Sequence, residues 1–131
     1  MDRKRRILIA DDETDLLDLM KYRFEGAGYE VLTAANGREA YDILMKEPVD
    51  LAILDIVMPG MDGRDLLTAL KKHASTTRIP VIITSAKDEY YNKGPVLDLG
   101  AYDYVEKPFD DAALLRLVKK AISSTEEAKG L

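Results

Sequence analysis

Carboxylates, hydroxyls and one amine recur at the same kind of place in this sequence, just after a short apolar run. ILIA, from Ile7, leads into Asp11, Asp12 and Glu13. LAIL, from Leu51, leads into Asp55; VIIT, from Val81, brings Thr84 and then Ser85; the run AYDYV, from Ala101, is followed by Lys107 and Pro108. Three aspartates brought together repel one another, which raises carboxylate pKa values and disfavours folding unless a positive charge intervenes. A hard divalent cation relieves this. Mg²⁺ takes oxygen ligands, commonly one or two carboxylates with waters and phosphate oxygens, so an aspartate set without His or Cys suits it better than zinc. A lysine beside the metal adds a second positive charge that holds an anion. Metal, fixed cation and an aligned nucleophile are what phosphoryl transfer needs, and a carboxylate can be that nucleophile, giving an aspartyl phosphate. Asp55 is the candidate.

Each residue also has a plainer reading, which is the better one when it is taken singly. Asp11 or Asp12 could cap a helix. Asp55 could be a turn residue bonded to its own backbone, Ser85 an ordinary hydroxyl, and Lys107 a solvated amine. The plainer readings do not explain why all of them stand at strand ends.

The positioning elements follow from periodicity. The five apolar runs, from Ile7, Val31, Leu51, Val81 and Ala101, suit short strands buried on both faces. Between them lie helical spacings: Leu16, Met20 and Phe24; Ala40, Ile43 and Leu44; Leu66, Leu67 and Leu70; and finally Leu114, Leu117, Val118 and Ala121. Gly26 and Gly28 close the first helix, while Asn36, Asp62 and Asp110 are placed to cap later ones. Strand and helix alternate five times, which implies an α/β fold: a parallel sheet with right-handed crossovers and helices on both faces. Ligands of such sheets sit beyond the carboxyl ends of the strands. Four of the five ends carry polar chemistry, and the fold would gather them at one rim.

Composition narrows the class. The 131 residues are 47% hydrophobic, enough for one domain with one core. Acidic residues number 24 against 19 basic, mixed along the chain, so no broad basic surface for nucleic acid is expected. With no cysteine there is no disulfide framework or thiol chemistry. The basic opening MDRKRR precedes an apolar run too short for a signal peptide or membrane span, and a cytoplasmic location is expected. The expected division is a domain over residues 1–123 and a polar tail over 124–131.

ILIADDE, LAILDIVMPGMDG, PVIITSA and YDYVEKPF, in this order, resemble the receiver domain of two-component response regulators. The resemblance runs from about Arg5 to Ile122. It implies a flavodoxin-like sheet of order 2-1-3-4-5, with Asp55 as phosphoacceptor and Mg²⁺ held by Asp11, Asp12, Asp55 and the Val57 carbonyl. It implies further that Ser85 is the switch hydroxyl, Lys107 the phosphate-binding lysine, with a cis bond to Pro108, and Tyr104 the switch aromatic. The implied partners are a sensor histidine kinase or histidine phosphotransfer protein and a downstream effector, with a homodimer left open. Such a domain is no enzyme in the ordinary sense, although it assists its own phosphorylation and dephosphorylation. Phosphorylation would bias the face built from the fourth helix, fifth strand and fifth helix.

Some features depart from that pattern or stand outside it. Gly94 and Pro95 should break the fourth helix or restart it with Pro95 in its first turn. Tyr90 and Tyr91 precede that break as partner contacts or packing. Val57, two after Asp55, gives an attacking water no side-chain hydrogen bond, and Lys87, two after Ser85, is cationic; a long-lived phosphoryl group is expected. His73 suits a cap or surface role, and Met58 and Met61 suit loop packing.

Rival functions fare less well. ADDET would repel a flavin phosphate. A haloacid-dehalogenase-type phosphatase would want an acid where Val57 stands, and no GxxxxGK[ST] occurs. The remaining alternative is a receiver-like interaction module that works without phosphorylation.

Overall fold

In the computed structural model, residues 3–86 and 92–128 are described, with side chains to Glu126; Lys87, Tyr90 and Tyr91 lie outside the described residues. In chain order the elements are β1 (Arg6–Ala10), α1 (Thr14–Gly26), β2 (Glu30–Ala34), α2 (Gly37–Lys46), β3 (Leu51–Asp55), α3 (Gly63–Lys71), β4 (Val81–Ala86), α4 (Lys93–Asp98), β5 (Asp103–Lys107) and α5 (Asp111–Ala128). The strands form one sheet of order β2-β1-β3-β4-β5, parallel at every pairing. This is the expected flavodoxin-like order.

The pleat sorts the apolar runs onto two layers. Ile7, Ile9, Leu51, Ile53 and Ile82 face α1 and α5, where they meet Leu17, Met20, Phe24, Leu114 and Val118. Leu8, Leu54, Val81 and Ile83 face the other side and meet Ala40, Leu44, Leu66, Leu67, Leu70 and Val96. Each such Leu or Ile contributes roughly 1.5–3 kcal/mol by leaving water. The helix starts behave as their cap residues require: Asn36 Oδ1 accepts from the Glu39 N–H, Asp62 Oδ1 from Asp65 and Asp110 Oδ2 from Ala113.

Four details differ from the periodicity reading. Burial on both faces holds for β1, β3 and β4, but β2 and β5 are edges and keep partly open positions. In α1 the buried stripe is Leu17, Met20 and Phe24, with Leu16 only half-buried, because a 3.6-residue turn carries a strict four-residue spacing off the face. β5 starts at Asp103, two residues later than the apolar run suggests, and so includes Lys107. α5 extends to Ala128, into the segment read as a polar tail, and Arg5 pairs with Glu126. α4 has Pro95 in the first turn of a six-residue helix, the placement expected for it.

Candidate functional site

Asp55 ends the central strand. All five residues of β3 are buried, and Asp55 itself is only 6% exposed. Register places Thr84 opposite it, and the Ile56 N–H that follows donates to the Thr84 carbonyl at 2.9 Å. The loop after Asp55 is held from two sides by glycines. A Cβ on Gly63 would stand 2.6 Å from the Asp55 carbonyl oxygen, and one on Gly37 would stand 1.7 Å from the Met61 carbonyl oxygen. Only hydrogen fits at either place. Met58 is buried in this loop and Met61 packs against the same core, so both serve packing, while Val57 stays 55% exposed.

Three strand ends meet here. Asp11, buried at the end of β1, accepts the Glu13 N–H through Oδ1 at 2.9 Å and the Lys107 ammonium through Oδ2 at 2.6 Å. The same Nζ donates to Asp55 Oδ2 at 3.2 Å. The cation thus arrives from β5, an edge strand, to bridge two inner carboxylates. Asp12 is exposed beside them, and one oxygen from each of Asp11, Asp12 and Asp55 can be chosen so that all lie within 4.8 Å of one another. Such an all-oxygen donor set, with no nitrogen or sulfur, fits a hard divalent cation.

The electrostatics follow from two buried carboxylates, Asp11 and Asp55, sharing one ammonium. Burial, and then the charge of Asp11, push the Asp55 pKa up to about 6, although Lys107 and the Val57 N–H pull the other way. Burial disfavours the Lys107 ammonium, but its hydrogen bond to Asp11 and the charges of both aspartates outweigh this and raise its pKa. Lys107 is therefore firmly charged, and the site carries an excess of negative charge that a divalent cation would relieve.

Ser85 and Tyr104 belong to the other side of the pleat. Tyr104 pairs with Ile83 across β4 and β5, and Ser85 with Glu106, so Ser85 and Tyr104 are diagonal neighbours on one face. Both are buried, Tyr104 in the layer under α2, α3 and α4. Ser85 Oγ donates to the Ala86 carbonyl at 3.3 Å. The Lys107–Pro108 peptide is cis. His73 lies just beyond α3, its ring edge-on to Tyr41 at 6.5 Å between centroids.

The family model described as "Response regulator receiver domain" matches residues 7–119. The chain belongs to that family. Solved structures agree. A receiver domain of a Francisella response regulator is 34% identical, with a TM-score of 0.86, covering 93% of this chain and 99% of its own. A CheY-like receiver from Methanospirillum hungatei is 32% identical with a TM-score of 0.90, over 96% and 99%. The receiver domain of a histidine kinase from Syntrophus aciditrophicus is 34% identical with a TM-score of 0.84, over 92% and 91%. No helix among the described residues of this receiver is long and apolar enough to cross a membrane.

Sequence reasoning placed the receiver's acidic residues and lysine together, and the coordinates do the same. It gave no role to Glu13, whose Oε1 lies 3.7 Å from Lys107 Nζ. Nor did it notice the two glycine contacts, although each follows a cap residue directly, as Asn36-Gly37 and Asp62-Gly63.

Proposed function

We propose that this receiver accepts a phosphoryl group from a phosphohistidine onto Asp55, in the cytoplasm, and that the modification changes partner binding through α4, β5 and α5. The observation that carries this reading is a buried carboxylate at the end of the innermost strand, met by a lysine from β5 and by two adjacent aspartates that follow β1. As a class, receiver domains work with histidine kinases and effector domains.

In the transfer, an Asp55 carboxylate oxygen attacks phosphorus. The new P–O bond forms as the P–N bond breaks, and the imidazole departs neutral when its other nitrogen carries a proton. Asp11, Asp12, Asp55 and the Val57 carbonyl would hold Mg²⁺, which when bound would neutralise charge on the transferring group. Lys107 is already aimed at Asp55 and can follow an oxygen of the new phosphate by loosening its hold on Asp11. Ser85 can turn its Oγ from the Ala86 carbonyl toward the phosphate, which frees space on the face it shares with Tyr104. Tyr104, already buried in that layer, can then shift its side chain into the freed space and alter the outer surface of β5.

Intact mass after incubation with a small phosphodonor, with and without Mg²⁺, tests the chemistry. One Mg²⁺-dependent adduct in the wild type and none in Asp55→Asn is expected. No adduct on folded, metal-loaded protein, with its own kinase also supplied, would leave the unphosphorylated interaction module. For the switch, Tyr104→Ala should abolish the difference in partner binding between the two states; unchanged binding would remove Tyr104 from it.

A further inference from the structure

The acidic residue after the aspartate pair has no capping duty. Glu13 is the N-cap residue of α1, yet its side chain makes no cap hydrogen bond. Its carboxylate instead stands 3.7 Å from Lys107 Nζ with the Glu13 side chain 66% exposed, whereas Asp11 and Asp55, the other acids on that ammonium, are buried. Glu13 and Lys107 also line a groove of about 560 Å³ that leads outward between Leu16, Pro108 and Phe109. Among the described residues, the other charges on that groove are Arg23 and Asp111, and these pair with each other. Lys107 is engaged inward by Asp11 at 2.6 Å. Among the described residues, the outward-facing charge of this groove is therefore negative and comes from Glu13, with the exposed Asp12 next to it in the chain.

We propose that Glu13 is a specificity-determining residue of this site, which sorts phosphodonors by charge before they reach Asp55. A free phosphodonor must bring its own negative charge past that carboxylate, and the penalty grows with the donor's charge. A protein donor that sets a lysine or arginine against Glu13 meets attraction instead. By retaining a share of Lys107 at the rim, Glu13 also tempers the pull of that lysine on incoming oxygens. This rests on the acceptor reading of Asp55.

The test compares two free donors at saturating Mg²⁺ and low salt, with adduct followed by intact mass over time. Acetyl phosphate is a dianion at neutral pH; attack at phosphorus breaks its P–O bond and releases acetate. Phosphoramidate is a monoanion; attack breaks its P–N bond and releases ammonia from the nitrogen-protonated form. In Glu13→Gln the acetyl phosphate rate should rise about fivefold and the phosphoramidate rate about twofold. Both gains should shrink as salt rises. Glu13→Asp, which keeps the charge, should restore the wild-type ratio of the two rates. Equal changes for the two donors, or a gain indifferent to salt, would overturn the role of Glu13 while leaving the acceptor reading intact. A wild type that takes phosphoryl from neither donor, nor from its own kinase, would overturn both.

Discussion

Lys107 and Asp11 stand 96 positions apart in the chain and meet at 2.6 Å, closer than the 3.2 Å that separates Lys107 from Asp55. The ammonium thus leans toward a candidate metal ligand and competes with any cation for the same oxygens. Lys107→Met should tighten Mg²⁺ binding by about tenfold, as removal of one unit charge from a partly buried site implies, and should slow phosphorylation. Calorimetric titration checks the first effect. Unchanged or weaker Mg²⁺ binding would show that the lysine and the metal do not compete.

The pKa of Asp55, held up to about 6, makes stability depend on pH. Between the ordinary aspartate value and about pH 6 the folded chain keeps a proton that the unfolded chain has lost. Stability therefore falls as pH rises through that window, and the loss is complete above it. Asp55→Asn should be the more stable protein at pH 7.5 without divalent cation, by roughly 2–3 kcal/mol, with the gap narrowing toward pH 4. Urea unfolding at the two pH values measures it; parallel profiles would contradict the burial cost. Added Mg²⁺ should restore mainly the wild type.

Val57 offers only methyl groups to a water approaching a phosphorylated Asp55, from a half-exposed position two residues on. A hydrogen bond worth about 1 kcal/mol would speed hydrolysis by about fivefold, so Val57→Asn should shorten the phosphoryl lifetime by that order. Decay followed by mass after donor removal gives the answer. If the variant lost phosphate no faster than wild type, water orientation at this position would not limit hydrolysis.

Gly63→Ala should cost about 1–3 kcal/mol, since its new methyl group has only backbone to push against. The displaced atoms belong to Asp55 and Ile56, so phosphorylation should slow as well. Gly26→Ala is the control: nothing lies within 4 Å of its Cβ position, and it should be neutral or stabilising by up to about 1 kcal/mol. Thermal melts and adduct rates of the two variants separate a local clash from a general effect of losing glycine.

The sequence carried the alternation of elements, three helix caps and the convergence of Asp11, Asp55 and Lys107, because period, cap chemistry and the strand-end rule each act over a few residues. Strand order came from family resemblance, since pairing of distant strands leaves no local period. Edge exposure of β2 and β5 follows from that order, which the apolar runs by themselves do not carry. Leu17 rather than Leu16 lies on the buried face because a 3.6-residue turn carries a strict four-residue spacing off that face. Glu13 went unassigned because a side chain's direction from an N-cap is decided by its neighbours in space, here Lys107 from the far end of the chain.

All five positions of β3 are buried, against one of five in β5. A substitution on β3 disturbs packed layers on both sides, and one on β5 falls mostly on half-buried positions along an edge. On the function proposed above, descendants of such a gene are thus free to diverge in whom they address while keeping unchanged how they are addressed.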